Sequence, residues 1–301
     1  MSTTDLGLRG SVPLELLRPS GRRRAADLTA RGAVYVCFLL AMIPLSLIIF
    51  EVIRKGLKVV LDADFFSHSM AFITPNEEGG GAYHAIIGTL EQVGLAVLMS
   101  VPLGLLVAIY VTEYGKGWLR TAIRFFVDVM TGIPSIVAGL FIYTFWVVGL
   151  DRGFSGLAGA FALAVIMLPI VIRSSEEMLL LVPGALREAS YALGIQRWRT
   201  TLRVVLPTAS AGITTGVMLA VARVTGETAP LILTVFDNPY INTDPFHGTQ
   251  AALPLFVYNQ SKSAYDQAIQ RAWGGALALI FIVMFLYIGA RVITRRNTLA
   301  P

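Results

Sequence analysis

Long stretches without a charged residue constrain this chain more than any other feature. Six windows of 19 to 22 residues contain no Asp, Glu, Lys or Arg, namely 32–50, 92–112, 129–150, 153–172, 204–222 and 272–290. An α-helix needs about 20 apolar residues to cross the roughly 30 Å hydrocarbon core of a bilayer, so each window is long enough to span it. The composition agrees, because 55% of the residues are hydrophobic and 14% are charged. The sequence therefore predicts an all-α integral membrane protein with six transmembrane helices.

The basic residues indicate how these helices are oriented. An even number of spans places both termini on one side of the membrane. If that side is the cytoplasm, the inner segments hold 17 Lys and Arg residues, the outer segments hold 6, and Arg223 lies within a span. This bias follows the positive-inside rule, so we expect a multi-pass protein of the cell membrane with both termini cytoplasmic. The run from Arg22 to Arg24 is interpreted as an orientation signal and not as a nucleic-acid-binding patch.

Several kinds of site are not expected. Cys37 is the single cysteine, and the three histidines, His68, His84 and His247, are not at ligand spacing. We therefore expect no disulfide within the chain and no metal site. The phosphate-binding loop pattern of ATPases is absent as well, since Gly115-Lys116-Gly117 lacks the upstream glycine and the following hydroxyl residue. If ATP drives this protein, another polypeptide binds it.

A polar segment, residues 175–207, separates the fourth window from the fifth. It contains the run Arg-Glu-Ala-Ser-Tyr-Ala-Leu-Gly, which ends at Gly194, and the run Val-Val-Leu-Pro, which ends at Pro207. The residues from Glu188 to Leu193 favour a short helix, Gly194 permits a left-handed stop, and Pro207 can open the next helix. In the predicted orientation this segment faces the cytoplasm. The local residues alone leave open an ordinary amphipathic loop helix.

The fifth window leads into two opposite charges. Gly212 and Gly216 form a G-x-x-x-G pattern that lets a second helix approach closely. Arg223 lies 16 residues past Pro207, which is about 24 Å along a helix. Glu227 is four residues further on and is predicted to share a helical face with Arg223. A charge at this depth costs at least a few kcal/mol unless it is paired or faces a wet cavity, so Arg223 is expected to face the bundle interior.

These charges make a candidate substrate path. The planar guanidinium of Arg223 can donate two parallel hydrogen bonds to a passing oxyanion such as phosphate. Glu227 offers the cation a competing partner, so release of the anion need not leave it bare. Thr225 and Thr228 could add hydroxyl donors, although threonines in spans often bond their own backbone. The alternative is a structural ion pair that contacts no substrate. Two further charges near span ends, Glu91 and Asp128, are predicted to be solvated.

Three motifs together resemble a known family. The run Ala-Arg-Val-Thr-Gly-Glu-Thr-Ala-Pro-Leu at 222–231 resembles the signature of the A-type permease subunit of phosphate-specific ABC importers, and residues 132–141 and 253–258 agree with it. The polar segment resembles the coupling motif of ABC importer permeases, with Ser190 where Ala is usual and Val204 where Ile is usual. The resemblance covers roughly residues 32 to 292.

This resemblance implies the type I ABC importer permease fold. A permease domain over 32–292 is expected between cytoplasmic tails 1–31 and 293–301. Within it, two short coupling helices would dock into a cleft of a separate ATPase subunit. The residues expected to make that contact or transmit it are Glu188, Ala189, Gly194, Leu206 and Pro207.

The resemblance also implies a function and partners. The chain would be a non-catalytic subunit for phosphate import, with ATP and magnesium bound by the partner and no cofactor of its own. Expected partners are a second homologous permease, two copies of an ATP-binding subunit and an extracytoplasmic phosphate-binding protein, which the aromatic and amide side chains of the loop 236–270 could contact. That loop could equally pack over the bundle. Other oxyanions, namely sulfate, molybdate and phosphonate, stay open as cargo. An ion-coupled secondary transporter is a further alternative, although such proteins usually show repeated halves and broken midplane helices, and neither is evident in this sequence.

Overall fold

The computed structural model describes residues 21–297, which are mostly helical. The helices in chain order are α1 Gly21–Val60, α2 Asp64–Ser67, α3 Tyr83–Ile109, α4 Gly117–Thr131, α5 Ser135–Ile142, α6 Gly156–Leu180, α7 Gly184–Ala192, α8 Arg197–Thr200, α9 Leu206–Thr225, α10 Ala229–Thr234, α11 Leu253–Ser261 and α12 Asp266–Asn297. Short π-helical segments, Tyr110–Tyr114, Tyr143–Gly149 and Thr201–Val205, extend α3 and α5 and precede α9. Within residues 21–297 no strand forms, and a single bridge joins Phe236 to Gln250.

The predicted six-span architecture is confirmed. Five helical runs are long and apolar enough to cross a membrane, namely Ala25–Val60, Tyr83–Tyr114, Gly156–Leu180, Arg197–Thr225 and Asp266–Gly289. The pair formed by Gly117–Thr131 and Ser135–Gly149 passes the same test together and makes the sixth span when its two arms are counted as one. The chain is therefore a multi-pass membrane protein.

That bent pair corrects one expectation. The window 129–150 was predicted as one continuous span, but the chain breaks between α4 and α5, and the two helical arms differ in direction by 102°. The cause is local, because Pro134 has no backbone N–H and disfavours a helical conformation at Ile133. Helix α4 begins before the charge-free window and contains the charged residues Arg120, Arg124 and Asp128. The third crossing is thus a broken helix and not a uniform rod.

The chain divides into two compact units, residues 1–51 and residues 52–301. In the first unit the described residues form the beginning of α1, and their apolar side chains are exposed in the isolated chain. Residues 1–20 of the expected N-terminal tail and residues 298–301 of the expected C-terminal tail lie outside the described residues. Residues 21–31, which were assigned to the tail, are already helical.

Small residues let the central helices of the second unit pack closely. Helix α6 lies against both α3 and α9. A Cβ atom added at Gly216 would lie 2.5 Å from Cβ of Ser174, and one added at Gly212 would lie 2.2 Å from Sδ of Met178, so both glycines sit against α6. The close approach predicted from the G-x-x-x-G pattern is therefore confirmed. The core around it is built from buried aliphatic side chains of these three helices.

The loop between α10 and α11 is tied to the start of α3 by buried amides. The side-chain amide of Gln250 donates to Oε2 of Glu91 at 2.6 Å and to the carbonyl of Asn242 at 3.1 Å. Gln92 in turn donates to Oε1 of Gln250 at 2.9 Å. Glu91 and Asp128, which were predicted to be solvated, also have partners within the chain: Glu91 accepts from Gln250, and Asp128, whose side chain is 53% exposed, accepts from Arg173. The loop between α10 and α11 supplies the partner of Glu91, and α6 supplies that of Asp128.

Candidate substrate path and coupling surface

Arg223 and Glu227 meet at the end of α9. The Nε atom of Arg223 lies 3.6 Å from Oε1 of Glu227. The helix ends at Thr225, and Gly226 is its cap. Their predicted proximity is confirmed, but the predicted continuous helix is not, since Glu227 lies beyond the last helical residue. The pair therefore meets across a helix terminus.

The exposure of this pair corrects a second expectation. The side chain of Arg223 is 63% exposed in the isolated chain, whereas that of Glu227 is 18% exposed. Arg223 therefore does not face the interior of this chain's own bundle. A guanidinium at membrane depth needs a polar partner or a wet cavity. The exposed side of the Arg223 guanidinium therefore needs a polar surface or water from outside this chain.

A small cavity lies beside Arg223. Its volume is about 50 Å³, which is room for a few water molecules. Its other walls come from the α4–α5 break and from α6, with the lining residues Met130, Thr131, Ile133, Ser135, Ala138, Val165, Ile166, Pro169 and Ile170. The break in the third span and the arginine of the fifth thus share one space. That space is too small to form a passage by itself.

The two threonines of this region differ in their contacts. The hydroxyl of Thr225 is buried and donates to the carbonyl of Val221 at 2.7 Å, so its proton is used by its own helix. Thr228 is partly buried and precedes α10, where its carbonyl accepts from the N–H of Leu231 at 3.1 Å. The expectation that Thr225 offers its hydroxyl to an anion therefore does not match its geometry.

An ion network joins α4 to α6 near this cavity. Arg173 is three residues beyond the cavity-lining Ile170, about 4.5 Å along the axis of α6. It pairs with Asp128, and its Nη1 atom lies 3.3 Å from Oε2 of the buried Glu176. Arg124 also pairs with Glu176. This network was not predicted, because Arg124 and Arg173 were counted only among the basic residues that orient the spans.

The segment 175–207 contains the end of α6, the two short helices α7 and α8 joined by a tight turn, and the start of α9. Helix α7 ends in a Schellman motif, in which the N–H of Gly194 donates to the carbonyl of Tyr191 at 2.9 Å and the N–H of Ile195 donates to that of Ser190 at 3.2 Å. Gly194 has φ +75°, which confirms the predicted left-handed stop. Pro207 is the second residue of α9, as predicted.

Arg187 anchors this segment to the end of the second span. Its guanidinium donates to Oε1 of Glu113 at 2.8 and 3.1 Å. It also donates to the carbonyls of Val182 at 2.7 Å and Leu179 at 2.9 Å. Glu113 is buried, so this is a charge-assisted contact shielded from water. Sequence analysis did not single out Glu113.

A second set of contacts holds α8 in place. Arg197 donates to the backbone carbonyl of Glu113, and its guanidinium lies 5.0 Å from the ring centre of Tyr114. The hydroxyls of Ser190 and Thr200 are 2.8 Å apart and buried, so they join α7 to α8. Ser190, the departure from the usual Ala of the motif, thus gains a hydrogen-bond partner in this chain.

The outer side of the segment is exposed. Glu188, Ala189 and Gly194 are all accessible, while Leu206 is partly buried and Pro207 is accessible at the start of α9. Several exposed apolar side chains lie among them. We define the coupling surface as Leu186, Glu188, Ala189, Tyr191, Leu193 and Trp198. An apolar surface on so firmly anchored a backbone is typical of a protein-binding site.

Among residues 21–297 no group of three or more His, Cys, Asp or Glu side chains could hold a metal ion. The charged clusters of this region are instead ion pairs between helices.

Comparisons with known proteins define the class. Residues 100–298 match the family described as binding-protein-dependent transport system inner membrane component. A bacterial alginate ABC transporter, solved with an alginate-bound periplasmic protein, shares the fold with a TM-score of 0.61 at 16% identity over 91% of this chain and 97% of that chain. A methionine ABC transporter in an inward-facing conformation gives 0.56 at 19% identity over 72% and 97%. The chain has the fold of a type I ABC importer permease subunit.

Curated relatives narrow the class. The phosphate transport system permease protein PstA 1 of Mycobacterium tuberculosis is 43% identical over 282 residues, which is 92% of each chain. PstA of Mycobacterium leprae is 44% identical over 90% of each chain, and PstA of Xylella fastidiosa is 41% identical over 81% of this chain and 84% of its own. The chain belongs to the PstA family of phosphate transport system permease proteins.

Proposed function

We propose that this chain is the membrane subunit through which an ABC importer moves inorganic phosphate into the cell, and that Arg223 contacts the passing anion. The observation that carries the proposal is the position of this guanidinium. It lies at an exposed edge beside the broken third span, and Glu227 holds it at 3.6 Å. The names of the curated relatives support phosphate as the cargo.

The chemistry of this pair suits transient binding. Arg223 stays charged at any working pH and can donate a two-pronged hydrogen bond to a phosphate oxygen pair. When the anion leaves, Glu227 takes its place, so the cation is not left bare. Thr228 is a further candidate donor. Thr225 has a structural role in this scheme, because its hydroxyl is bonded to Val221.

The open side of Arg223 supports a two-permease conduit. A second homologous permease would supply the missing wall and keep the guanidinium out of contact with lipid. An extracytoplasmic phosphate-binding protein would deliver the anion at the end of the bundle that carries the loop between α10 and α11. Tyr240 and Phe246 of that loop are exposed and can contact it, whereas Phe256 is buried in the bundle.

ATP would drive the cycle through the coupling surface. In this scheme both chain termini and the segment 175–207 face the cytoplasm, where Glu188, Ala189 and Gly194 dock into one of two ATP-binding subunits. ATP and magnesium are held there, and this chain is non-catalytic. Leu206 and Pro207 transmit the conformational change of the coupling surface to α9. Arg223 lies at the far end of that helix.

Uptake of radiolabelled phosphate by the complete assembly in proteoliposomes tests the proposal. Arg223→Gln should lower uptake at least about tenfold, because it removes both the positive charge and the planar guanidinium that donates two parallel hydrogen bonds. Arg223→Lys should give an intermediate rate, since it retains the charge alone. Arg152→Gln, which removes an exposed cation in the turn after the third span, is the matched control and should transport normally.

Two outcomes would contradict the proposal. Normal uptake by Arg223→Gln in an intact assembly would remove Arg223 from the path. Uptake that survives loss of the ATP-binding subunits would favour an ion-coupled transporter instead. Competition by unlabelled sulfate, molybdate or phosphonate decides the cargo, and we expect phosphate alone to compete strongly.

A further inference from the structure

A groove lies where the end of α1 crosses the beginning of α12. Its volume is about 440 Å³, and its lining residues are Arg54, Lys55, Lys58, Val59, Asp266, Ile269, Gln270 and Trp273. The two helices touch beside it through glycines. A Cβ atom added at Gly56 would lie 2.6 Å from the carbonyl oxygen of Trp273, and one added at Gly274 would lie 2.5 Å from Cγ1 of Val59. The groove therefore borders a close helix crossing with little freedom to shift.

The charge of this groove is positive. Three of its lining residues, Arg54, Lys55 and Lys58, are cations, and Asp266 is the acidic residue among them. The ammonium of Lys55 lies 4.8 Å from the ring centre of Trp273, which places it on an aromatic face. Arg54 and Lys58 are four residues apart and so share one side of α1. The groove therefore brings three basic side chains and an aromatic face together.

The position of the groove corresponds to the headgroup layer of a membrane. Lys58 and Arg54 lie two and six residues before the end of α1 at Val60, or about 3 and 9 Å along its axis. Trp273 lies seven residues after the start of α12 at Asp266, or about 10 Å. Each headgroup layer is roughly 5 to 8 Å thick, and Trp is enriched there. Both helices therefore bring the groove to the boundary between hydrocarbon and water.

The three cations are unusual at this end of the bundle. The segment 175–207 lies at the opposite ends of the spans, and most Lys and Arg residues are found on that side. By the positive-inside rule a cluster of cations is disfavoured here. A local role therefore explains them better than orientation does.

We infer that this groove binds the phosphate group of an anionic membrane lipid. The cations and Gln270 face the headgroup, while Val59 and Ile269 provide an apolar surface for the beginning of an acyl chain. Free phosphate has the same oxyanion chemistry and is the other source to distinguish. The bound lipid would bridge α1 and α12 at their crossing. This inference does not depend on which cargo the protein carries.

Native mass spectrometry of the complete assembly in detergent tests this inference. The probes are dioleoyl phosphatidylglycerol and, as the zwitterionic comparison, dioleoyl phosphatidylcholine. The wild type should retain phosphatidylglycerol preferentially. The variant R54Q/K55Q/K58Q should lose that preference, with each removed charge weakening binding by about fivefold.

Matched variants separate lost binding from lost folding. R54K/K55R/K58R retains the three charges and should retain the lipid. R152Q/K262Q removes two cations elsewhere in the loops between spans and should bind like the wild type. Equal retention of the two lipids by the wild type, or unchanged binding by R54Q/K55Q/K58Q, would overturn the inference.

Inorganic phosphate identifies the source of the bound group. If millimolar phosphate leaves the lipid in place, the site is a lipid site, as inferred. If phosphate displaces the lipid, the groove recognises the free anion and the lipid source is overturned. Transport is not the readout, so the result stands whether or not Arg223→Gln blocks uptake.

Discussion

Arg187 precedes α9 in the chain and Arg223 lies in its last turn, and the protein holds these two arginines differently. Arg187 has a side chain that is 20% exposed, and it donates to a buried carboxylate and to two backbone carbonyls. Arg223 is 63% exposed and has a 3.6 Å contact with Glu227. An arginine whose donors are satisfied by its own chain acts as an anchor. One held by a single long contact can exchange its partner for a ligand.

The largest effect should follow from breaking the anchor. Arg187→Gln leaves the carboxylate of Glu113 buried without its cation, which costs about 3–5 kcal/mol. We expect a lower unfolding temperature in detergent and poor assembly with the ATP-binding subunit. The double variant E113Q/R187Q removes both charges and should recover part of the loss. Wild-type stability in Arg187→Gln would show that the two arginines do not differ as described.

A smaller effect is expected at the turn after α7. Gly194→Val must adopt φ +75°, which costs on the order of 1–3 kcal/mol for a branched residue. No atom lies within 4 Å of the added Cβ, so the cost falls on the backbone alone. Association with the ATP-binding subunit and transport per ATP hydrolysed should both fall. Gly194→Asn tolerates this conformation better and is the control. Equal coupling in both variants would exclude a role for the turn.

The opposite end of α9 should respond in binding and release instead of stability. Glu227→Gln removes the competing carboxylate beside Arg223, so the anion is held longer. An exposed ion pair is worth up to about 1 kcal/mol, which sets an expected slowing of about fivefold in phosphate uptake at saturation. The unfolding temperature should fall far less than in Arg187→Gln, since the lost ion pair is worth at most about 1 kcal/mol. Faster uptake in this variant would contradict the release scheme.

The smallest effect concerns the loop between α10 and α11. Burial raises the pKa of Asp237, even though Asn259 donates to it at 2.7 Å. Ionising this carboxyl therefore costs more in the folded loop than in the open one, and loop stability should fall as the pH rises above about 4. Hydrogen exchange in residues 236–252 should be better protected near pH 4 than at pH 7.5 after correction for intrinsic rates. Asp237→Asn should remove that difference. Its persistence there would assign the pH dependence to another group.

Much of the fold could be predicted, because spanning a bilayer imposes a length and a composition on every helix. The break in the third span was missed for the same reason. Residues 129–150 contain no charged residue, and a bend at Pro134 does not change that composition. The Gly-Ile-Pro run was the local signal for the bend. Helix α4 shows that a charge-free window need not be one helix.

The site was predictable where its chemistry is local. Glu227 is four residues from Arg223, and Gly194 directly ends α7, so spacing and backbone preference suffice. Glu113 is 74 residues from Arg187, and no pattern in the sequence links them. The direction in which the Arg223 side chain is exposed could not be predicted either. Helical periodicity predicts the face of a helix on which a residue lies. It does not predict whether a second chain packs against that face.

The most direct test is a structure of the complete assembly trapped with ATP in the presence of phosphate. Electron cryomicroscopy would place the guanidinium of Arg223 relative to the second permease and to any bound anion. We predict that it faces the interface between the two permeases and lies within hydrogen-bonding distance of a phosphate oxygen or of a polar group lining the path. A guanidinium that faces lipid, or phosphate bound on a path that does not include Arg223, would contradict the account.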